Sequence, residues 1–305
     1  MTATYQAYRD IYFTARDGIR LYGRHYPAAH HDGIVRRPVL CLAGLTRNSR
    51  DFHVIATALA QRPHGARDVY TLDYRGRGLS ENDADWRNYT VPLEMIDVLD
   101  YMVVTGIAGA SIIGTSRGGL IAMVMAAYQP RSVGPVVLND IGPIVEQKGL
   151  SRISAYVGRI PLPASWPEAG ALVADMGKRA FPGISATEWE DVARQWFNEH
   201  KGRPAPGYDP ELSNALSVLD GPIPELWPQF EALKRVPVMV VRGERSDILS
   251  AATVEEMRRR HPAFTSYVVK HQGHAPLLRD AESIEAVAQF LDATEASERQ
   301  PRLAY

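Results

Sequence analysis

The sequence has little of several features that mark specialised classes of protein. Its 305 residues include a single cysteine, Cys41, which excludes an internal disulfide framework and suits a reducing compartment. No apolar run approaches the length of a membrane-spanning helix, and the polar N-terminus has no signal-peptide core. Neither sign of charge dominates, because 34 basic residues oppose 35 acidic ones. We therefore expect a cytoplasmic protein with no membrane partner and no dedicated surface for nucleic acid.

Over most of the chain, short apolar runs alternate with helical patterns. Runs at residues 38–43, 68–73 and 236–241 have the length of buried strands, and a stretch with helical spacing follows each of them. Near the start, alternating residues around the turn Asp17-Gly18 predict an opening hairpin. Repeated strand–helix units predict an α/β fold, with a mostly parallel sheet and helices on both faces.

The interval from residue 142 to residue 233 breaks this alternation. It is rich in proline and tryptophan, and a short helix is expected at 187–200, but no strand–helix repeat is visible. We predict that residues 142–233 form a mainly helical cap, inserted into a core made of residues 1–141 and 234–305. The aromatic side chains of such a cap would line part of a pocket between cap and sheet.

A serine between two glycines lies where a predicted strand meets a predicted helix. The sequence Gly114-Thr115-Ser116-Arg117-Gly118 has the pattern Gly-x-Ser-x-Gly, which in this setting predicts a nucleophile elbow with Ser116 as the nucleophile. The turn is so tight that there is no space for a Cβ two residues before or after the serine. The start of the helix supplies unpaired N–H groups that stabilise a developing oxyanion.

A serine alcohol needs a base to take its proton, and the base needs an acid to orient it. In this topology the partners follow the serine in the order acid, then histidine. His274 lies just after the last predicted strand, on a Gly-His-Ala-Pro turn, and is favoured over its neighbour His271. Asp247 follows the penultimate strand and is the predicted acid, with Asp140, at the end of the strand after the elbow helix, as the alternative.

An oxyanion hole needs two N–H groups. One is expected from Arg117, the residue after the nucleophile, and the other from the loop that follows the strand at 38–43. Gly44 opens that loop, so the N–H of Leu45 is the predicted second donor. Because only the backbone is used, the leucine side chain is expected to face the pocket.

Together these motifs resemble the α/β-hydrolase superfamily, in order and in spacing, over nearly the whole chain outside the cap. They are Ala43-Gly44-Leu45, Asp73-x-Arg75-Gly76-x-Gly78-x-Ser80, Gly114-x-Ser116-x-Gly118, Gly243-x-x-x-Asp247 and Gly273-His274. Within the superfamily the chain is similar to capped serine hydrolases: carboxylesterases, lactonases and enzymes that hydrolyse carbon–carbon bonds of ring-cleavage products. One departure is Ala43, because the family often has histidine there.

The resemblance implies a hydrolase that cleaves a carboxylic ester or lactone of a small molecule through an acyl-enzyme on Ser116. The same residues could cleave a carbon–carbon bond of a ring-cleavage diketone. A different class is a small-molecule receptor, because the fold also hosts hormone-binding proteins with intact triads. No metal and no organic cofactor are implied, and the oligomeric state is not encoded in any pattern that we recognise.

Several basic and polar residues lie close in sequence to the predicted site. Arg47 and Asn48 are possible substrate contacts, and with Arg50 and Arg117 they suggest that an acidic group of the substrate meets a cation. The alternative is that Arg117 pairs with a structural carboxylate and that the other side chains are solvated.

Overall fold

The computed structural model describes residues 7–29, 33–217 and 224–299. Its strands are β1 (Arg9–Thr14), β2 (Arg20–Tyr26), β3 (Val39–Leu42), β4 (Val69–Asp73), β5 (Ala110–Thr115), β6 (Val133–Asn139), β7 (Asn198–His200), β8 (Arg203–Ala205), β9 (Val238–Gly243) and β10 (Phe264–Val269). Its α-helices are α1 (His53–Gln61), α2 (Val91–Val104), α3 (Arg117–Tyr128), α4 (Gln147–Tyr156), α5 (Trp166–Gly177), α6 (Ala186–Trp196), α7 (Leu212–Ser217), α8 (Trp227–Glu231), α9 (Ala251–Arg260) and α10 (Ala281–Arg299). Short 3₁₀ helices lie at Ser49–Phe52, Trp86–Asn88, Pro130–Ser132 and Ala232–Arg235.

Eight strands form one sheet in the order β1-β2-β4-β3-β5-β6-β9-β10. The β1–β2 hairpin joins β4 in antiparallel fashion, and every pairing from β4 to β10 is parallel. Helices that connect the parallel strands pack on the sheet, so the fold is the predicted α/β fold. The opening hairpin is confirmed as well.

The centre of the sheet is buried on both faces. Every residue of β3 and β6 is buried, and the apolar residues of these strands join one core cluster with the packed faces of α1, α2 and α3. Such continuous apolar runs are expected of parallel strands that helices cover on both sides. Burial of each large aliphatic side chain contributes roughly 1.5–3 kcal/mol, which makes this region a rigid support for the loops at its edge.

The strand register brings three loops together at one edge of the sheet. Leu42 of β3 pairs with Gly114 of β5, which in turn pairs with Leu138 of β6. Because the strands are parallel, their carboxyl ends meet at the same edge, where ligands bind in open α/β sheets. The loops after β3, β5 and β6 therefore emerge side by side.

Helices α4 to α8 and the β7–β8 hairpin occupy the described part of the predicted cap, whose residues 218–223 lie outside the described residues. Helices α5 and α6 pack together around a small apolar cluster of their own, which includes Trp166, Trp189 and Phe197. Both of these helices start at a serine N-cap: Ser165 caps α5, and Ser185 forms a capping box with Glu188 at the start of α6. The division of the chain into core and cap stays a prediction.

The predicted helix at 187–200 is too long. Helix α6 ends at Trp196, and residues Asn198–His200 form strand β7, which pairs with β8. Lys201 and Gly202 connect the two strands, and both have positive φ, at 50° and 76°. A two-residue turn of this kind favours a tight hairpin, so residues 198–200 pair as a strand instead of continuing the helix, which already ends before the extended Phe197.

Candidate active site

Ser116 lies on a strained turn between β5 and α3. Its φ and ψ are 51° and −114°, outside the regions that a serine ordinarily adopts. A Cβ at Gly114 would lie 2.7 Å from the backbone of Gly118, and a Cβ at Gly118 would clash with the carbonyl of Leu42. The glycines of the motif are therefore needed for the close approach of β3, β5 and α3.

His274 lies between this serine and a buried carboxylate. Its Nε2 is 2.9 Å from Ser116 Oγ, and its Nδ1 is 2.8 Å from Asp140 Oδ2. The imidazole is 7% exposed and the Asp140 side chain is fully buried. Asp140 also accepts hydrogen bonds from Gly243 N at 2.8 Å and from Ser246 Oγ at 2.6 Å. These donors fix the carboxylate, so that it can hold the histidine with its Nδ1–H toward the acid and its Nε2 toward the serine.

The acid beside His274 is Asp140, not the predicted Asp247. Asp247 instead receives a bidentate pair from Arg152, with Nε and Nη2 at 2.6 and 2.8 Å from its oxygens. This hydrogen bonding by Arg152, followed by the arginine's charge, lowers the pKa of Asp247 below its ordinary value. The side chain of Asp247 is 26% exposed, whereas that of Asp140 is fully buried.

Two structural facts explain why His274 binds Asp140 and not Asp247. Asp140 directly follows β6, the neighbour of the serine strand β5, whereas Asp247 follows β9, one strand further from the serine. In addition, α4 packs so closely on the β9 loop that a Cβ at Gly149 would clash with the Asp247 carbonyl, and this packing brings Arg152 to the carboxylate. Strand order and helix packing are tertiary facts that chain order alone does not contain.

Leu45 and Arg117, whose backbone N–H groups are the predicted oxyanion donors, both lie beside the serine. Leu45 lines the same cavity as Ser116, and Arg117 is the first residue of α3. Within the part of the chain that the structure describes, neither N–H donates a hydrogen bond to another group. Both are therefore free to receive an oxyanion beside Ser116 Oγ.

The side chain of Arg117 does not line the cavity over Ser116 and pairs with a structural carboxylate. Its Nε is 2.5 Å from Glu94 Oε2, and its Nη2 donates to the carbonyl of Tyr89 at 3.0 Å. Arg50 is likewise committed, because it donates to the carbonyls of Gln195 and Phe197 at the end of α6. The idea that these two cations meet an acidic substrate group is thus not supported.

Of the two predicted substrate contacts, only Arg47 lines the cavity. Asn48 is fully buried; its Nδ2 donates to Gln195 O at 2.9 Å and its Oδ1 accepts from Arg50 N, so its role is to join the β3 loop to α6. Arg47 pairs with Asp51 through Nε, at 2.7 Å, and through Nη2. Its Nη1 has no hydrogen-bond partner among the described residues.

A cavity of about 290 Å³ lies over Ser116 and His274. Helices α4, α5 and α6 supply much of its lining, which is mainly apolar; the cap residues include Ile153, Val173, Met176, Phe181, Trp189 and Trp196. A second cavity of about 80 Å³ shares Thr46, Arg47 and Trp196 with the first. The Arg47 guanidinium lies 4.4 Å from the centre of the Trp196 ring, so this pair separates the two cavities.

Other groups that could carry chemistry are placed elsewhere. His271 is exposed and faces Glu244, at 3.6 Å. Cys41 is buried in β3, and burial raises the pKa of its thiol, which keeps it protonated and unreactive. Among the described residues, no group of His, Cys, Asp or Glu side chains is arranged to hold a metal ion. No helix in the described ranges is both long and apolar enough to cross a bilayer.

Comparison with known proteins agrees with the observed fold. A 3-hydroxybutyrate-oligomer hydrolase from Cupriavidus necator is 33% identical over 280 residues, which cover 88% of this chain and 93% of that protein. A 2-(acetamidomethylene)succinate hydrolase from Mesorhizobium japonicum is 26% identical over 258 residues, covering 84% and 88%. The crystal structure of an alpha/beta hydrolase from Novosphingobium aromaticivorans superposes with a TM-score of 0.86 at 38% identity, covering 94% of this chain and 98% of that one.

The family model described as the alpha/beta hydrolase family matches residues 39–289, most of the chain. With the relatives named above, this match supports a hydrolase that acts on small molecules. The chain belongs to the alpha/beta hydrolase family.

Proposed function

We propose that the protein is a serine hydrolase that cleaves a carboxylic ester of a small molecule through an acyl-enzyme on Ser116. The observation that carries the proposal is the continuous chain of hydrogen bonds from Ser116 Oγ through His274 to Asp140. Serine, histidine and a buried acid in this arrangement form the proton relay of acyl transfer.

In this mechanism Ser116 Oγ attacks the ester carbonyl carbon while His274 Nε2 takes the hydroxyl proton. The carbonyl oxygen becomes an oxyanion, which receives the N–H groups of Leu45 and Arg117. Asp140 keeps His274 in the required tautomer and stabilises the imidazolium. When the carbonyl re-forms, the bond to the alcohol breaks and His274 protonates the leaving oxygen. A water molecule then repeats the sequence and releases the acid.

The cavity limits the substrate to a small molecule with a mainly apolar body. Both arginines on its wall already pair with carboxylates, Arg47 with Asp51 and Arg152 with Asp247, so little positive charge is left for a free anionic group. The relative from Cupriavidus necator is named for hydrolysis of oligomers of 3-hydroxybutyrate. We therefore place short neutral esters of small hydroxy acids first among the substrates to test, and their oligomers, each of which ends in a carboxylate, second.

The test is a panel of esters, lactones and ring-cleavage diketones, assayed with the wild type and with Ser116→Ala. The proposal expects repeated turnover of esters, an initial burst of alcohol with aryl esters, and covalent labelling of Ser116 by an organophosphonate. Turnover of diketones without esters would establish the carbon–carbon hydrolase instead. Binding followed by at most one turnover would favour the receptor. A cytoplasmic location stays a prediction.

A further inference from the structure

A fully buried carboxylate lies between two arginines behind the oxyanion loop. Glu94, near the start of α2, accepts a hydrogen bond from Arg117 Nε on its Oε2, at 2.5 Å. Its Oε1 forms an ion pair with Arg77 Nη2 at 2.9 Å, but the two atoms do not have hydrogen-bond geometry. The side chains of Glu94 and Arg77 are fully buried, and that of Arg117 is 13% exposed. An ion pair buried this deeply is costly to desolvate, so stability alone does not account for it well.

One arm of this cluster holds the loop that carries Leu45. Arg77 Nε donates to the carbonyl of Leu45 at 2.9 Å, and Tyr74 Oη donates to the carbonyl of Ala43 at 3.3 Å. The peptide between Gly44 and Leu45, whose N–H is the proposed donor, is thus fixed on both sides. Burial raises the pKa of Tyr74 well above its ordinary value, so its hydroxyl keeps the proton that it donates.

The other arm holds the residue that supplies the second N–H. Arg117 directly follows Ser116, and its side chain is anchored at two points, the carboxylate of Glu94 and the carbonyl of Tyr89 at 3.0 Å. The two segments that provide the N–H donors come from different strands, β3 and β5. Among the ion pairs described above, Glu94 is the carboxylate that links them, through one arginine on each side.

We propose that Glu94 is a positioning residue for the oxyanion hole, an inference that rests on the proposed function. Its carboxylate holds Arg77 and Arg117 so that the N–H groups of Leu45 and Arg117 converge on the same oxygen. Pre-organised donors are worth most when they need no movement as charge develops. The Asp73–Ser80 turn, which contains Tyr74 and Arg77, thereby acquires a role in the reaction besides shaping the loop.

The variant Glu94→Gln distinguishes a role in positioning the N–H donors from a direct effect of the carboxylate's charge on the oxyanion. The amide offers one acceptor and one donor where two cations need two acceptors, so it repels one of the arginines and loosens that arm. Charge alone predicts the reverse, because two arginines without the carboxylate leave more positive charge behind the oxyanion. The proposal therefore expects weaker oxyanion binding, while the charge account expects stronger binding.

The experiment measures kcat, KM, and affinity for an aryl trifluoromethyl ketone, which forms a hemiketal oxyanion on the serine. All values are expressed per active site titrated with an organophosphonate. We expect Glu94→Gln to lower kcat and ketone affinity in parallel by about tenfold to a hundredfold, less than complete loss of one donor. KM should change by less than about threefold, because the ground state makes little use of the hole.

Glu295→Gln is the matched control. Glu295, on α10, also lies between two arginines, with Arg67 at 2.8 Å and Arg36 at 3.8 Å, but it is not the partner of Arg77 or Arg117, which pair with Glu94. This variant should lower thermal stability and leave kcat and ketone affinity per active site unchanged. If Glu94→Gln behaves in the same way, or binds the ketone more tightly than the wild type, the inference is wrong.

A second variant keeps the test decisive if Glu94→Gln does not fold. Arg117→Met removes one arm and leaves the backbone N–H in place, and it should show the same parallel loss. Unchanged kcat and ketone affinity for Arg117→Met would also refute the inference. Failure of the proposed function is separable, because it would appear first in the wild type, as absence of ester turnover and of labelling at Ser116.

Discussion

Replacement of Asp140 by asparagine should nearly abolish turnover through the tautomer of His274. In the wild type, Asp140 Oδ1 accepts from Gly243 N, and Oδ2 accepts from both Ser246 Oγ and His274 Nδ1. An asparagine has only one acceptor oxygen. If this oxygen stays with Gly243 N, the amide NH₂ faces His274 Nδ1, which must then be unprotonated. The imidazole proton then lies on Nε2 and points at Ser116, so Nε2 cannot accept the proton of the serine hydroxyl.

The flipped orientation of the amide does not help. It would restore an oxygen beside His274, but it would place NH₂ against Gly243 N–H, two buried donors with no acceptor, which costs on the order of 1–3 kcal/mol. The wrong tautomer is therefore the favoured state. In the well-studied serine proteases the equivalent change lowers kcat by about 10⁴, which corresponds to about 5.4 kcal/mol of transition-state stabilisation.

The assay compares steady-state kcat for an aryl ester in the wild type, Asp140→Asn and Asp247→Asn, with active sites titrated for each. We expect a loss of about 10³- to 10⁴-fold for Asp140→Asn. Asp247→Asn breaks a partly exposed pair with Arg152, so kcat should stay within a few-fold of the wild type and stability should fall by at most about 1 kcal/mol. The opposite ranking of the two variants would refute the assignment of Asp140 as the acid.

Three further predictions follow from the same contacts. Ser116→Ala should remove ester turnover and phosphonate labelling while the circular dichroism spectrum stays unchanged, and residual turnover would point to another nucleophile. Trp196→Ala should merge the two cavities beside Arg47 and shift the preference among linear esters toward longer acyl chains, measured as kcat/KM. Burial lowers the pKa of His261 below its ordinary 6.5, so the unfolded chain gains a proton first as the pH falls, and stability is lost below about pH 6.5. Urea denaturation of His261→Gln should therefore show a smaller loss between about pH 7 and pH 5 than the wild type.

The parts of the molecule that were predictable from sequence depend on local rules. The pattern around Ser116 requires glycines because the turn is tight and β3 approaches it closely, and His274 lies in the loop that follows the last strand of the sheet. The sheet and its helices were predictable because short apolar runs alternate with helical patterns, and a strand that is buried on both faces is apolar along its whole length. Each of these inferences needs only residues that are close in sequence.

The acid was harder to predict because its choice depends on strand order. Asp140 and Asp247 both follow strands in the correct chain order. Only the strand order β5-β6-β9-β10 shows which carboxylate lies close enough to bind a histidine that also contacts the serine. Two local signals were nevertheless present. The first is that Asp140 immediately follows a strand with no intervening loop. The second is that Asp247 lies several residues after the end of β9, further from the sheet edge. The pairing of Arg152 with Asp247 could not be predicted, because it depends on how α4 packs.

The arginines near the site show that a charge close in sequence to a catalytic loop need not bind the substrate. Arg47, Arg50 and Arg117 are close to the predicted oxyanion loop in sequence, but each is already bound to a protein carboxylate or carbonyl. A guanidinium whose N–H groups already bind protein carboxylates or carbonyls has few donors left for a substrate anion, whereas its rigid attachment can still fix a neighbouring backbone N–H. The same residues that suggested recognition of an acidic substrate therefore serve better as anchors, and this is why the proposed role of Glu94 concerns oxyanion geometry rather than substrate charge.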